Sequence, residues 1–248
     1  MNIQSKKSNL LFTSAGDNTQ FYKYWYNNNR NYDLFVCYYG DRKDHPYLKY
    51  SDYYVSRKGG KFDNFYNFWN FKDDKIKLDM KSYERYFILD DDIIISSDDI
   101  NKLFIIMEKL CLDVLQPSFD LHKSKLSYTF NISYPGQFLH FTNLIEVGVM
   151  MFNKQSMEKC MNMYEPSLIT GYGLDYFFIW CLGKDKEDKY AVIDFINCIN
   201  PKTEESNREI YKLEKIEDSV KKWKLIVEKY NIEKWQPKIF KYIQLKSK

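Results

Sequence analysis

The chain has few cysteines, and their spacing builds neither a metal-bound nor a covalent scaffold. The five are Cys37, Cys111, Cys160, Cys181 and Cys198, an odd number without any Cys-x-x-Cys pair. This pattern argues against a zinc knuckle and against a disulfide framework. It favours a reducing compartment, and we therefore predict a cytoplasmic protein.

Long apolar runs and a strong net charge are missing as well. No segment approaches the length of a membrane span, and the amino-terminal residues do not resemble a signal peptide. The net charge is only +3, which is too small to argue for nucleic acid as a partner.

Gly16 is the single glycine of the first predicted loop, so this loop is neither a P-loop nor a dinucleotide fingerprint.

Apolar and aromatic residues, by contrast, are abundant. Hydrophobic residues make up 44% and aromatic residues 18% of the 248 residues, which excludes a disordered chain. Residues 202–248 carry 13 Lys and Arg against 8 Asp and Glu, whereas the remainder carries 24 against 26. This basic tail could make peripheral contact with a membrane or another anionic surface, although a solvated helix face is the simpler explanation.

Three adjacent aspartates, Asp90–Asp92, interrupt an apolar run between Tyr86 and Ile95. Such a run predicts a strand buried on both faces, with the acids at its carboxyl end, where ligands of open α/β sheets bind. Neighbouring carboxylates repel one another unless a cation lies among them, and hard oxygen ligands suit Mg²⁺ or Mn²⁺ carrying a phosphate. We therefore predict a metal–diphosphate site; the alternative is an Asp-rich helix N-terminus.

Strands and helices are predicted to alternate around this segment. Predicted strands cover residues 9–14, 32–39, 53–56, 113–117, 144–152 and 191–196, and predicted helices cover residues 19–28, 62–71, 97–110, 153–164, 175–182 and the tail from 203 onward. Residues 118–143 are predicted to be irregular, and a long connection in a compact domain is usually functional.

Two loops could hold a nucleoside diphosphate. The first strand ends in the small residues Thr13, Ser14 and Ala15, whose loop would bind base and ribose, and Asp41 closes the second strand. Lys61 follows two glycines in a basic loop that can approach an anionic ligand closely, although an ordinary surface turn explains that loop equally well.

Two further acids are candidates for acceptor chemistry. Asp175 follows the turn Gly171–Gly173 and begins an apolar helix, which would pin one acid at the edge of a pocket. There it could accept a proton from an attacking hydroxyl. Glu146 is the one charge in an apolar strand, and it is either a salt-bridged core acid or a substrate contact.

Four motifs in this order resemble the GT-A glycosyltransferases and, more narrowly, a GT-A-related domain family of formerly unknown function. They are Phe87-Ile88-Leu89-Asp90-Asp91-Asp92-Ile93, Leu115-Gln116-Pro117, Ile145-Glu146-Val147 through Phe152, and Gly171-Tyr172-Gly173-Leu174-Asp175. The resemblance covers residues 8–201. It implies a Rossmann-like α/β domain over residues 1–201, with a mixed, mainly parallel sheet and helices on both faces. Residues 202–248 would then be a basic helical extension packed on it.

The resemblance implies a hexosyltransferase-type enzyme with a UDP-sugar donor and Mn²⁺ or Mg²⁺. Asp92 would bind the metal directly, Asp90 would lie near the metal or the ribose, and Asp91 would lie beside the donor. Such enzymes usually carry a metal- or diphosphate-binding histidine after the last strand. Asn200 stands there in this sequence and is a weaker ligand. His140 could replace it only if residues 118–143 fold back.

On the acceptor side, the resemblance makes Asp175 the base of an inverting transfer to a hydroxyl of a glycan or glycoconjugate. Glu146 and Gln116 would contact substrate. Two other functions stay open. One is a GT-A-like domain that binds a sugar nucleotide or a partner without turnover. The other is a haloacid-type phosphatase. Its nucleophile motif is Asp-x-Asp-x-Thr or Asp-x-Asp-x-Val, and Asp90–Ile94 lacks the Thr.

Overall fold

The structure is a computed structural model that describes residues 7–71, 78–202 and 209–245. In these residues nine strands form one sheet and six α-helices pack on it. The strands are β1 (Asn9–Ala15), β2 (Tyr32–Tyr38), β3 (Tyr53–Ser56), β4 (Arg85–Leu89), β5 (Val114–Phe119), β6 (Gln137–Thr142), β7 (Val149–Asn153), β8 (Tyr190–Cys198) and β9 (Ile239–Gln244). The helices are α1 (Phe21–Tyr24), α2 (Lys61–Asn70), α3 (Ser97–Leu110), α4 (Lys154–Met163), α5 (Leu174–Leu182) and α6 (Ile216–Tyr230).

The sheet is mixed, in the order β3-β2-β1-β4-β7-β5-β8-β6-β9. Strands β3, β2, β1 and β4 are parallel, and β7 is antiparallel to both β4 and β5. Because β7 runs against β4, Leu89 at the end of β4 pairs with Val149 at the start of β7. The residues that precede β7 therefore meet the aspartates that follow β4.

Two apolar cores, one on each face of the sheet, hold the helices. Side chains alternate along β1, so that Leu10 and Phe12 enter one core and Leu11 enters the other. The first core contains the apolar faces of α2, α4, α5 and α6, and the second contains those of α1 and α3. A strand that is buried on both faces explains why its sequence is continuously apolar.

Helix α3 decides between the two interpretations of the acidic segment. Ser96 caps this helix, since its Oγ accepts the N–H of Asp99 at 3.1 Å. The acidic first turn consists of Asp98 and Asp99, while Ile100–Met107 supply the buried apolar face. Asp90–Asp92 lie outside the helix, in the turn after β4. The alternative interpretation, an Asp-rich helix N-terminus, therefore explains Asp98 and Asp99 but not Asp90–Asp92.

The structure corrects three predicted elements near this edge. The apolar run from Tyr86 is a strand only as far as Leu89, because the chain turns and Ile93 N–H donates to the carbonyl of Asp90 at 3.2 Å. The strand predicted over 144–152 begins at Val149, since the chain turns at Glu146, whose carbonyl accepts the Val149 N–H at 3.1 Å. The helix predicted over 19–28 is reduced to α1.

Two strands were not predicted. Residues 118–143 are not wholly irregular, because β6 lies within them and pairs with β8. Strand β6 leaves an edge of unpaired backbone groups, and β9 covers it by antiparallel pairing. The tail therefore contains the predicted amphipathic helix, α6, and one strand of the main sheet. The domain boundary at residue 202 stays a prediction.

His140 shows where the 118–143 segment folds. It is completely buried in β6, and its Nδ1 lies 3.0 Å from Oδ2 of Asp194 on β8. Its partner is thus a core acid of the neighbouring strand.

No helix of the described ranges is long and apolar enough to cross a membrane.

Candidate active site

Three segments meet where β1 and β4 end. They are the loop after β1, the aspartate turn, and the residues before β7. Gly16 N–H donates to Oδ2 of Asp91 at 2.8 Å, and Asp90 N–H donates to the carbonyl of Gly148 at 2.8 Å. The turn is thus fixed from both sides. The aspartates lie at the carboxyl end of a parallel strand, as the sequence predicted.

Asp91 holds the loop after β1. Its carboxylate accepts the Gly16 N–H, and its carbonyl accepts the Gln20 N–H at 2.9 Å and the Thr19 hydroxyl at 3.0 Å. Burial, with the neighbouring charge of Asp92, raises the pKa of Asp91 to about 8. Burial is the larger cause, and the charge of Asp92 adds to it, so a cation in this turn would favour the ionised form of Asp91.

Lys61 brings a positive charge to the same turn. Its Nζ lies 2.7 Å from Oδ1 of Asp90 and donates to the carbonyl of Val147 at 2.7 Å. The Lys61 side chain is only 10% exposed, whereas that of Asp90 is 50% exposed. The lysine at the start of α2 is therefore an inner part of the site, and the acid is open to solvent.

Asp175 lies in the first turn of α5, as predicted, and faces the same segment. The N–H of Val147 donates to its Oδ1, and the hydroxyl of Tyr128 lies 3.5 Å from its Oδ2. Burial raises the pKa of Asp175 to about 7, against the opposing effects of the Val147 N–H and the Lys61 charge. A carboxyl with this pKa can take up and release a proton near neutral pH.

Glu146 and Gln116 position the segment before β7. Gln116 is completely buried in β5, and its Oε1 accepts the N–H of Glu146 at 2.8 Å. Glu146 is also buried; its carboxylate accepts from Asn131 Nδ2 at 3.2 Å. Burial, with the charge of Asp175, raises its pKa to about 8. These contacts match a core role for both residues, and their role as substrate contacts stays a prediction.

Asn200 comes close to the aspartate turn through the backbone. Ile94 and Ile199 form an isolated antiparallel bridge, which places Asn200 opposite the residues that follow Asp92. Its Nδ2 donates to the carbonyl of Lys125 at 3.2 Å. The nitrogen of the Asn200 amide is therefore already hydrogen-bonded to the 118–143 segment.

The residues predicted for the nucleoside are divided between the interior and the surface. Thr13 and Ala15 are completely buried within β1, and Ser14 accepts a hydrogen bond from Asn64 Nδ2 at 2.9 Å. Asp41 is exposed and pairs with Lys58 at 2.6 Å. Gly16 is buried as well, so the part of the first loop that a ligand can reach begins at Asp17, after the three predicted side chains.

A divalent cation fits this site if it arrives with a phosphate. Within the described segments, no three His, Cys, Asp or Glu side chains are grouped to hold a metal ion. Mg²⁺ and Mn²⁺ that carry a substrate phosphate need only one or two protein carboxylates, because phosphate oxygens and water complete the shell. Asp90 and Asp92 would supply that number, with Oδ1 of Asp90 also paired with Lys61. The donor set thus suits a metal bound jointly with a diphosphate.

Sequence reasoning missed three residues of the site. Tyr128 and Asn131 lie in the 118–143 segment, and the only signal was the length of that connection. Glu209 comes from the tail, and its carboxylate accepts from the N–H and Nδ2 of Asn18 at 3.4 and 3.3 Å. It thereby lies over the loop after β1. No local pattern announces a contact across that separation in sequence.

Helix α6 is locked onto the turn that precedes Asp175. Gly173 has a φ of +85°, and a Cβ added there would lie 2.3 Å from Cδ2 of Trp223. Thr170 Oγ1 also donates to Ser219 Oγ at 2.6 Å. The tail helix therefore helps to fix the position of the α5 N-terminus.

Replacing Gly173 by alanine should test this contact. The left-handed backbone costs about 1–2 kcal/mol for a residue with a Cβ, and the clash with Trp223 adds about 1–3 kcal/mol of overpacking. Gly136→Ala is a matched control, since Gly136 has a φ of +77° and nothing within 4 Å of an added Cβ. Urea denaturation should show the larger loss for Gly173→Ala. Equal losses would mean that Trp223 is not packed there.

Comparison with known proteins supports the fold. No protein-family model and no curated protein matches the chain in sequence. The crystal structure of S. aureus TarS 1-349 matches with a TM-score of 0.50 and 8% identity, over 78% of this chain and 60% of that one. The crystal structure of S. aureus TarS gives a TM-score of 0.49 at 10% identity, over 90% and 43% of the two chains. A197 from STIV gives 0.41 at 13% identity, over 77% and 83%.

Only the first of these likenesses carries weight, and at such low identity it concerns the fold alone. The predicted fold class is therefore confirmed: this is a mixed α/β domain that resembles GT-A glycosyltransferase structures. The chain spans 60% of the length of TarS 1-349.

Proposed function

We propose that the protein is a metal-dependent glycosyltransferase. It would move a sugar from a UDP-sugar to a hydroxyl of a glycan or glycoconjugate, with inversion at the anomeric carbon. The observation that carries this proposal is the joint arrangement of an acidic turn, Lys61 and Asp175 around one backbone segment. Val147 links them, since its carbonyl accepts from Lys61 and its N–H donates to Asp175.

On the donor side, Asp92 and Asp90 would hold Mn²⁺ or Mg²⁺ together with the diphosphate. The metal, when bound, neutralises charge on the two phosphates. Asp17 and Asn18, the accessible residues of the loop after β1, would face the ribose and base. Lys61 lies at the acidic turn, where its ammonium would stabilise the charge that builds on the departing diphosphate.

On the acceptor side, Asp175 would act as the general base. Its Oδ1 is occupied by the Val147 N–H, so Oδ2, next to the Tyr128 hydroxyl, is the oxygen that would take the proton. The acceptor oxygen would bond to the anomeric carbon as the bond to the diphosphate breaks on the opposite face. Glu146, with a pKa of about 8, stays mostly protonated at pH 7 and so adds little negative charge beside the base.

Binding and turnover of nucleotides test the proposal. We expect Mn²⁺ to strengthen UDP binding by about tenfold or more, which corresponds to roughly 1.4 kcal/mol. We also expect slow release of free sugar from a UDP-sugar in water. Parallel titrations with CDP and GDP compare the bases. If no nucleoside diphosphate binds more tightly with metal, the proposal is wrong.

A second function is favoured by Asn200. An amide that donates its nitrogen to Lys125 is a weaker metal ligand than a histidine. The domain could then bind a sugar nucleotide without turnover. Metal-enhanced UDP binding without any hydrolysis of several UDP-sugars would favour this second function. Hydrolysis that disappears in Asp92→Asn would dismiss it.

A further inference from the structure

A second concave region lies beside the turn that leads to Asp175. It is an open cleft of about 640 Å³ between Ile169 and residues 211–222 of the tail. Four of the residues that line it are lysines: Lys212, Lys215, Lys221 and Lys222. We call this region the lysine cleft. Its volume is that of an ordinary ligand site.

The charge of the lysine cleft is not balanced by its own acids. The two acids that line it are Glu214 and Asp218. Glu214 is buried and bonded to Lys222, and Asp218 pairs with Lys221 at 3.2 Å.

The two remaining lysines set the net charge. Lys212 and Lys215 form no ion pair in the part of the chain that the structure describes, and both are exposed. Among the described residues that line the cleft, the lysines therefore exceed the acids by two.

The kind of cation indicates the kind of anion. Residues 209–245 contain no arginine, so the cleft offers only ammonium groups. Arginine's rigid fork selects one bidentate orientation, whereas lysine is a flexible point charge. Lysines spread along a cleft therefore suit phosphate groups whose orientation is not fixed, such as those along a flexible chain. A concave cleft also admits a chain more readily than the plane of a membrane.

A hydrogen bond joins the lysine cleft to the turn that precedes the candidate base. Thr170, which follows Ile169, donates its N–H to Oε2 of Glu214 at 3.3 Å. The chain then turns through Tyr172, a residue that is 43% exposed and offers an aromatic surface to a sugar. Asp175 follows three residues later. The cleft and the base thus lie along one continuous stretch of chain.

We propose that the lysine cleft binds a phosphate group of the acceptor, and that the acceptor is therefore a phosphate-bearing glycan or glycoconjugate in solution. This rests on the proposed function, since it names the acceptor class of the same enzyme. The acceptor hydroxyl would lie at Asp175 and a neighbouring phosphate in the cleft.

The test is binding of tripolyphosphate, in EDTA, to the full chain. The double variant Lys212→Glu/Lys215→Glu should bind it about tenfold more weakly than wild type, and the wild-type affinity should fall with added salt. The control is Lys224→Glu/Lys234→Glu, which reverses two exposed lysines outside the cleft and should change binding less than about twofold. Lys212→Gln/Lys215→Gln removes the charges without reversing them and should give an intermediate loss.

Two further measurements separate the possible outcomes. UDP binding with Mn²⁺ should be unchanged in all variants. If wild type does not bind UDP with Mn²⁺, the proposed function is wrong, whereas phosphate binding by the lysine cleft is unaffected by that result. Equal tripolyphosphate binding by the cleft and control variants would show that the lysine cleft is not the phosphate-binding site. If the cleft variant loses binding to phosphatidylglycerol vesicles but keeps tripolyphosphate, the cleft is a membrane contact and the acceptor proposal is wrong.

Discussion

Asp175→Asn should reduce turnover by about 10²–10⁴-fold while UDP and Mn²⁺ bind nearly as in wild type. The amide keeps the size of the side chain and can still accept the Val147 N–H, but it cannot take a proton from the acceptor hydroxyl. Single-turnover assays and calorimetric titration measure the two quantities separately. Asp98→Asn is the matched control, because Asp98 occupies the first turn of α3 and should affect neither quantity. Equal loss of turnover and binding would show that Asp175 is structural.

The pH dependence gives a second readout for the same residue. The base works only when ionised, and the pKa of Asp175 is raised to about 7 by burial. Turnover should therefore rise with pH through about 7 and level off above it. Since the charge of Lys61 lowers this pKa, Lys61→Met should move the rising limb to higher pH. A profile that is flat from pH 5 to pH 9 would contradict the assignment.

Asp92→Asn should abolish the part of UDP binding that depends on Mn²⁺. Changes to outer-sphere partners of a metal typically cost about 10–100-fold in metal affinity, and we expect a direct ligand to cost more. Asp91→Asn is the neighbouring control. The Asp91 carboxylate holds the loop after β1 by accepting the Gly16 N–H, and the amide oxygen of asparagine can accept the same hydrogen bond. We expect that variant to bind UDP and Mn²⁺ within about threefold of wild type, which is about 0.6 kcal/mol.

Calorimetry at pH 7, with and without EDTA, distinguishes these variants. The account requires a large metal-dependent difference between the two adjacent substitutions. If both variants retain metal-enhanced binding, the ligands lie elsewhere. If both lose it, the three aspartates act as a single charged cluster, and the separate roles of Asp91 and Asp92 are wrong.

Local patterns were sufficient to predict where two parts of the candidate site lie in the fold. The position of Asp90–Asp92 after a buried strand follows from the switch between apolar and acidic residues. The place of Asp175 in the first turn of α5 follows from the two glycines and the apolar helix behind them. Both are properties of a few consecutive residues, which is why single-sequence reasoning reaches them.

Contacts across the sheet could not be predicted in the same way. The reversal of β7 places Val147 between Lys61 and Asp175, and nothing in residues 144–152 announces that direction. The apolar run there predicts a strand from residue 144, yet the first five residues turn into the site. Strand β9 likewise depends on the free edge of β6, which is a property of the assembled sheet.

The most direct test of the central claim is anomalous diffraction from crystals grown with UDP and Mn²⁺. The account predicts one manganese peak between the diphosphate and the carboxylate of Asp92, at the carboxyl end of β4. UDP bound at the Gly16 loop without such a peak, or a peak remote from the aspartate turn, would contradict it.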